Sequence, residues 1–204
     1  MRVGGAILTG GTSSRFGSDK ALASVGNQLL GQRVLEALRG AAVDPIVALG
    51  GTAGGSLGLV TIADTDPGGG PLPALAGALA WFGRSHVLVV PCDLVLLDRS
   101  HVLALREALD SIAEHDGEDV ALRTAVVAST GGRAQPSLGI WPASWSGGAR
   151  RAVSSGSRAF RDALELGPWK SVPLPDEALS DADTPEALAA LMLLLGVDRA
   201  ETEK

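Results

Sequence analysis

His86-Val87-Leu88-Val89-Val90-Pro91-Cys92-Asp93 is the stretch that decides the fold. Val87 to Val90 are apolar without alternation and polar residues stand on both sides, the pattern of a strand buried on both faces in a parallel sheet. Working outward, Val3 to Leu8 is a second such run, ended abruptly by Gly10-Gly11. Residues 46–49 and 57–63 give two more candidate strands, and 120–128 and 135–141 another two. Helical spacing appears between them: Leu30, Val34, Leu35 and Leu38; residues 72–82; and residues 100–113, with Val102, Leu105, Leu109 and Ile112 on one face. Thr184-Pro185 opens a last helix, threonine at the cap and proline at the first helical position. Strands alternating with helices predict a three-layer α/β domain with a mostly parallel central sheet. One domain is expected over residues 1–197, with a charged tail at 198–204. The loops after the strands would then share one rim, where ligands bind in such sheets. Gly10-Gly11, Asp64 and Asp93 all stand at such strand ends.

Composition narrows the class. The 204 residues carry 17 Lys and Arg against 23 Asp and Glu, a formal net charge of −6. That balance argues against a nucleic-acid partner, whose binding domains are usually strongly basic. No apolar run reaches the roughly 18 residues needed to cross a bilayer, and the start, MRVGGAILTGG, lacks the pattern of a signal peptide. A lone Cys92 excludes an internal disulfide and suits a reducing compartment, so a cytoplasmic protein without membrane contact is expected. The 27 glycines are the unusual number, and they cluster at Gly10-Gly11, Gly50-Gly51, Gly54-Gly55 and Gly68-Gly69-Gly70. Clustered glycine lets a backbone come close to a ligand.

Three constellations carry chemistry. In Leu8-Thr9-Gly10-Gly11 and on through Arg15, Gly17, Asp19 and Lys20, a strand runs into paired glycines followed by two cations. Such a loop offers open backbone N–H groups and fixed positive charge to phosphate oxygens. It is neither a P-loop, which needs Gly-Lys-[Ser/Thr], nor a G-x-G-x-x-G dinucleotide loop. Asp93, just beyond a buried strand, can hold Mg²⁺ while substrate phosphates complete the shell. Asp181 and Asp183 precede the Thr184-Pro185 helix start and suit either the helix dipole or a second carboxylate for that metal. Asp64 suits either a turn or the sugar or base of a nucleotide. Cys92 reads as a small buried hydrophobe, and His86, His101 and His115 lack metal-ligand spacing. Trp81, Trp141, Trp145 and Trp169 read as core or pocket wall, because no basic residues interleave with them as in a nucleic-acid groove. Gly50-Gly51 and Gly54-Gly55 receive no role from the sequence.

These residues resemble a known family. Leu8-Thr9-Gly10-Gly11-x-x-x-Arg15-x-Gly17-x-Asp19-Lys20 is similar to the L-A-G-G-x-x-x-R-M-G-x-D-K signature of the MobA-type molybdenum cofactor guanylyltransferases. Gly70-Pro71-Leu72, Pro91-Cys92-Asp93, Gln135-Pro136 and Asp183-Thr184-Pro185-Glu186 resemble that family's later motifs, in the same order. Thr9 and Phe16 depart from the usual Ala and Met, and Ala48-Leu49-Gly50-Gly51 stands where the family has an asparagine. The resemblance implies a three-layer Rossmann-like, GT-A-like nucleotidyltransferase domain. It implies that Leu8, Thr9, Gly10, Gly11, Lys20, Asp64 and Asp93 bind the nucleotide, that Arg15, Lys20 and Asp93 are catalytic, and that Asp93 and Asp183 hold Mg²⁺. The implied reaction moves GMP from GTP to molybdopterin cofactor and releases pyrophosphate. Transient contact with molybdoenzymes or cofactor-delivery proteins is implied as well. Two alternatives share these motifs: a relative using CTP or another phosphorylated acceptor, and a nucleotide-binding module without turnover.

Overall fold

The structure is a computed structural model, and it describes residues 1–10, 19–64, 66, 69–83 and 86–196. Its main sheet has seven strands: β1 (Val3–Leu8), β4 (Ile46–Leu49), β5 (Val60–Ile62), β6 (His86–Pro91), β7 (Ala125–Thr130), β8 (Arg133–Pro142) and β9 (Trp169–Pro173). β2 (Ser24–Val25) and β3 (Gln28–Leu29) form a separate small hairpin. The order across the sheet is β5-β4-β1-β6-β8-β7-β9. Only β8 runs against its neighbours β6 and β7, so the sheet is mostly parallel, as the sequence implies.

Helices cover both faces. α1 (Leu30–Gly40) and α3 (Arg99–His115) bury Val34, Leu38, Val102, Leu105 and Leu109 against one side. α2 (Pro71–Phe82) and α5 (Ser146–Ser154) bury Leu72, Leu75, Leu79 and Ala149 against the other, with Trp141, Trp145 and Phe160. β1, an inner strand between β4 and β6, is thin enough for both layers to close on it. A Cβ on Gly4 would overlap the Phe82 ring of α2, and one on Gly5 would lie 2.8 Å from Leu38 of α1. Adjacent residues of a strand face opposite sides, so two consecutive glycines admit one helix on each. α6 (Pro185–Leu194) starts as expected, with the Thr184 hydroxyl accepting a bond from Ala187 N at 3.1 Å.

Two expected strands are corrected, and the first is the run 57–63, which is extended only over β5 (Val60–Ile62) because Leu57 and Gly58 belong to a turn. The second, the run 120–128, is not one strand: Glu118–Ala121 forms the short helix α4, and β7 begins only at Ala125. Glu118 and Asp119 favour a helical first turn, and Ala121 is the residue of that turn which is buried, leaving Val120 exposed. Of the four tryptophans read as core or pocket wall, Trp141 and Trp145 are buried in the core, and Trp81 and Trp169 lie outside it at 48% and 41% exposed. Among the described residues no helix is long and apolar enough to cross a membrane.

Candidate active site

Four parallel strands end side by side. Leu8 of β1 is in register with Leu49 of β4 and Pro91 of β6, and Leu49 with Ile62 of β5. Thr9-Gly10, Gly50-Gly51, Asp64 and Cys92-Asp93 therefore leave the sheet on one rim. Antiparallel β8 pairs with β6 from Gly139 onward, so Gln135-Pro136 extends past the end of β6 on the same side. The chain leaving β1 goes on to α1 on one face and the chain leaving β5 to α2 on the other. A crevice opens at such a divergence.

Asp93 and Asp183 are ninety positions apart in sequence, and backbone contacts bring them together. Cys92 N donates to Leu8 O at 3.3 Å, which carries the strand pairing one residue beyond β6. The chain then pairs with the segment ahead of α6: Leu94 and Asp181 form an antiparallel bridge, and Ala182 N donates to Asp93 O at 3.1 Å. Asp93, Asp181 and Asp183 each contribute a carboxylate oxygen, and these atoms lie within 4.8 Å of one another.

Lys20 completes the cluster. Its Nζ lies 2.6 Å from Asp93 Oδ2 and 2.8 Å from Asp183 Oδ1. It opens a 3-10 turn, Lys20–Leu22, whose start is capped by Asp19: Ala21 N donates to Asp19 Oδ1 at 3.1 Å. Ala21 is fully buried, which anchors the turn in the core. Burial works against the ammonium charge, but the hydrogen bonds to Asp183 and Asp93, with their charges, outweigh it and raise the Lys20 pKa. Asp181 is pushed up by burial first and then by the charges of Asp183 and Asp93. Asp93 Oδ1 is buried and has no hydrogen-bond partner among the described residues. An orphaned carboxylate oxygen within a group of hard oxygen donors fits a divalent cation such as Mg²⁺.

The other expected site residues fall as follows. Leu8, Thr9 and Gly10 lie at the rim, but the Thr9 hydroxyl is turned inward and donates to Gly50 O at 2.6 Å. Asp64 also stands there, and its Oδ1 accepts a bond from Asp66 N at 3.0 Å, the turn geometry that was one of its two expected roles. Gly70, at φ +91°, caps α2 and packs beneath the Arg158 carbonyl, to which Leu72 N donates at 3.0 Å. Gly11, Arg15 and Gly17 lie outside the described residues. Cys92 is buried, and burial followed by the charge of Asp93 pushes its thiol up to about 12, so it is an inert neighbour of the site.

A model of the MobA-like NTP transferase domain matches residues 5–169, which take in the β1 loop, Asp64 and Asp93. The chain belongs to the MobA-like NTP transferase family. It is 35% identical over 144 residues to a molybdenum cofactor guanylyltransferase of Sinorhizobium fredii, a match covering 67% of this chain and 62% of that protein. It is 31% identical over 212 residues to one from Cereibacter sphaeroides, covering 97% of this chain and 100% of the relative. The crystal structure of molybdopterin-guanine dinucleotide biosynthesis protein A from Archaeoglobus fulgidus has the same α/β nucleotidyltransferase fold. It superposes with a TM-score of 0.70 at 18% identity, over 96% of this chain and 99% of the other.

For this member of the MobA-like family, sequence reasoning left two parts of the site unassigned. It named Asp183 rather than Asp181 only through the family resemblance, and the structure brings both carboxylates to Asp93. It also gave Gly50-Gly51 no role, although the signal was present: a second pair of glycines at the end of a second parallel strand.

Proposed function

We propose that this protein transfers GMP from GTP to molybdopterin cofactor and releases pyrophosphate. The observation that carries this is the cluster at the rim, where Lys20 lies between Asp93 and Asp183. Membership of the MobA-like family and similarity to guanylyltransferases along the full chain support the same reading. Asp93 and Asp183, joined by Asp181, would hold Mg²⁺, which supplies charge neutralisation at the triphosphate when bound. The chain's own residues do the rest. Leu8, Thr9 and Gly10 line the approach of the nucleotide, and Asp64 orients it from the end of β5.

In the reaction a terminal phosphate oxygen of the acceptor forms a bond to the α-phosphorus of GTP, and the bond from that phosphorus to the β-phosphate oxygen breaks. The phosphate nucleophile is already ionised near neutral pH, so no general base is needed. Transfer of this kind rests on alignment and charge stabilisation. Lys20 and Arg15 place positive charge against the pyrophosphate as it leaves. The setting proposed is the cytoplasm, with no nucleic acid or membrane involved and with transient contact to molybdoenzymes or delivery proteins.

The test is pyrophosphate release from GTP with Mg²⁺, with and without molybdopterin cofactor, and with CTP in place of GTP. Acceptor-dependent release from GTP is expected. Asp93→Asn should lower kcat by roughly 10²–10³, the scale for one preorganised electrostatic contact. Release from CTP alone would overturn the guanylyl assignment, and an Asp93→Asn enzyme with normal kcat would overturn the site.

A further inference from the structure

The turn Gly50-Gly51-Thr52 follows β4 and belongs to no motif the function uses, yet it touches both ends of the segment that carries the phosphate-binding loop. At the near end the contact is backbone against backbone. Thr9 N and Gly10 N both donate to Leu49 O at 3.0 Å, and the Thr9 hydroxyl donates to Gly50 O at 2.6 Å. A Cβ on Gly50 would stand 3.1 Å from Gly10 Cα, and one on Gly51 would overlap the Thr9 carbonyl. Both glycines are left-handed, at φ +70° and +64°, a conformation that side chains disfavour independently of space. The turn is tied in its own right to the next strand, Gly50 N donating to Ile62 O at 2.9 Å.

At the far end the contact is a side chain. Thr52 Oγ1 donates to Asp19 Oδ2 at 3.3 Å. The other oxygen of Asp19 caps the turn that begins at Lys20, and Lys20 reaches Asp93 and Asp183. One hydroxyl is thereby linked, through two residues, to the ammonium of the site.

The geometry points to the 50–52 turn as a positioning clamp for nucleotide binding and transfer. Gly50 and Gly51 fix where the chain enters the loop, and Thr52 fixes where it leaves, through Asp19 and Lys20. The inference rests on the nucleotidyltransferase reading above and adds positioning residues to it. None of the three need touch the reacting atoms.

The test compares Thr52→Val, Thr52→Ser and Gly51→Ala with the wild type. It measures GTP affinity by calorimetry with Mg²⁺, kcat and KM for pyrophosphate release, and thermal unfolding. Thr52→Val keeps the shape and removes the donor, so kcat/KM should fall roughly three- to tenfold, the scale of one ordinary hydrogen bond, its charge assistance being screened at this exposed position. Its unfolding temperature should be unchanged, and Thr52→Ser should restore activity. Gly51→Ala should lose more, in kcat as well as KM, because the Thr9 carbonyl must move. Wild-type kinetics and affinity in Thr52→Val, or a loss that serine does not restore, would overturn the clamp while leaving the transferase reading intact. A wild type that binds GTP and transfers nothing overturns the transferase reading alone, since the affinities of Thr52→Val and Thr52→Ser still decide the clamp. A wild type that binds no GTP overturns both.

Discussion

Replacing Lys20 by Met removes the cation from a group of three carboxylates while keeping most of the side chain's length and its packing. The carboxylate oxygens of Asp93, Asp181 and Asp183 are at most 4.8 Å apart. Two unit charges at that distance repel by about 0.9 kcal/mol at the dielectric of water and about 3.5 kcal/mol at an effective dielectric of 20. The Asp183 side chain is 58% exposed, so the lower figure governs its pairs. Burying an apolar methionine in place of a desolvated ammonium recovers part of the loss. A net destabilisation of about 1–3 kcal/mol follows, or roughly 3–10 °C in unfolding temperature for a chain of this size. Scanning fluorimetry at low salt with EDTA measures it directly. Two controls tie the result to charge. Adding Asp183→Asn to Lys20→Met should return most of the lost temperature, and millimolar Mg²⁺ should raise the single variant more than the wild type. Neither should return turnover, which is expected to fall by roughly 10²–10³ on loss of Lys20. An unfolding temperature equal to wild type, or one that Asp183→Asn does not raise, would refute the picture of Lys20 as the charge that lets these carboxylates converge.

Thr9→Val should destabilise the fold by about 1–2 kcal/mol in urea titrations, since it strips a buried carbonyl at Gly50 of its hydroxyl donor, whereas Thr9→Ser should stay near wild type. His86 is buried against the Ala121 carbonyl, and burial lowers its pKa below the ordinary 6.5. The unfolded chain therefore takes up that proton first, and stability should drop as pH falls from about 6.5 toward the folded-state pKa. His86→Gln should show a shallower acid slope of unfolding temperature over that range. Cys92, with its thiol at about 12, should resist iodoacetamide at pH 8 in the folded protein and react once the chain is unfolded in urea.

The parts of the fold that the sequence declares are those whose burial is written into consecutive residues. β1 and β4 are found at Val3–Leu8 and Ile46–Leu49, where apolar runs are cut off by glycine or preceded by proline. Thr184-Pro185 marks the start of α6 because cap and first position are both chemically distinctive. β9 escapes, because Trp169–Pro173 is an edge strand with mostly exposed residues, and its pairing with β7 is what makes it a strand. The β2–β3 hairpin is too short to show a period. The site divides in the same way. Asp93 is legible at the end of a buried strand, whereas its proximity to Asp183 depends on the bridge between Leu94 and Asp181, which no local pattern encodes. Only the order of motifs shared with a family connects the two in sequence.

The site is assembled largely by main-chain contacts, and this decides where the sequence is constrained. The carboxylates meet because Ala182 N bonds to Asp93 O and Cys92 N to Leu8 O, bonds that nearly any residue except proline supplies. Most positions along these segments can therefore change without moving the carboxylates, which suits a fold shared at 18% identity with the Archaeoglobus fulgidus protein. Side-chain identity matters at two kinds of position. Asp93 and Asp183 hold the Lys20 ammonium between them, and Asp19 caps the turn that presents it. Gly10, Gly50 and Gly51 sit where backbones approach so closely that a methyl group would separate them. The absence of a side chain at the second kind is as demanding as its presence at the first. On the proposed reading, glycines that fall at the ends of adjacent parallel strands serve the site by their smallness, even where they offer nothing to bind with.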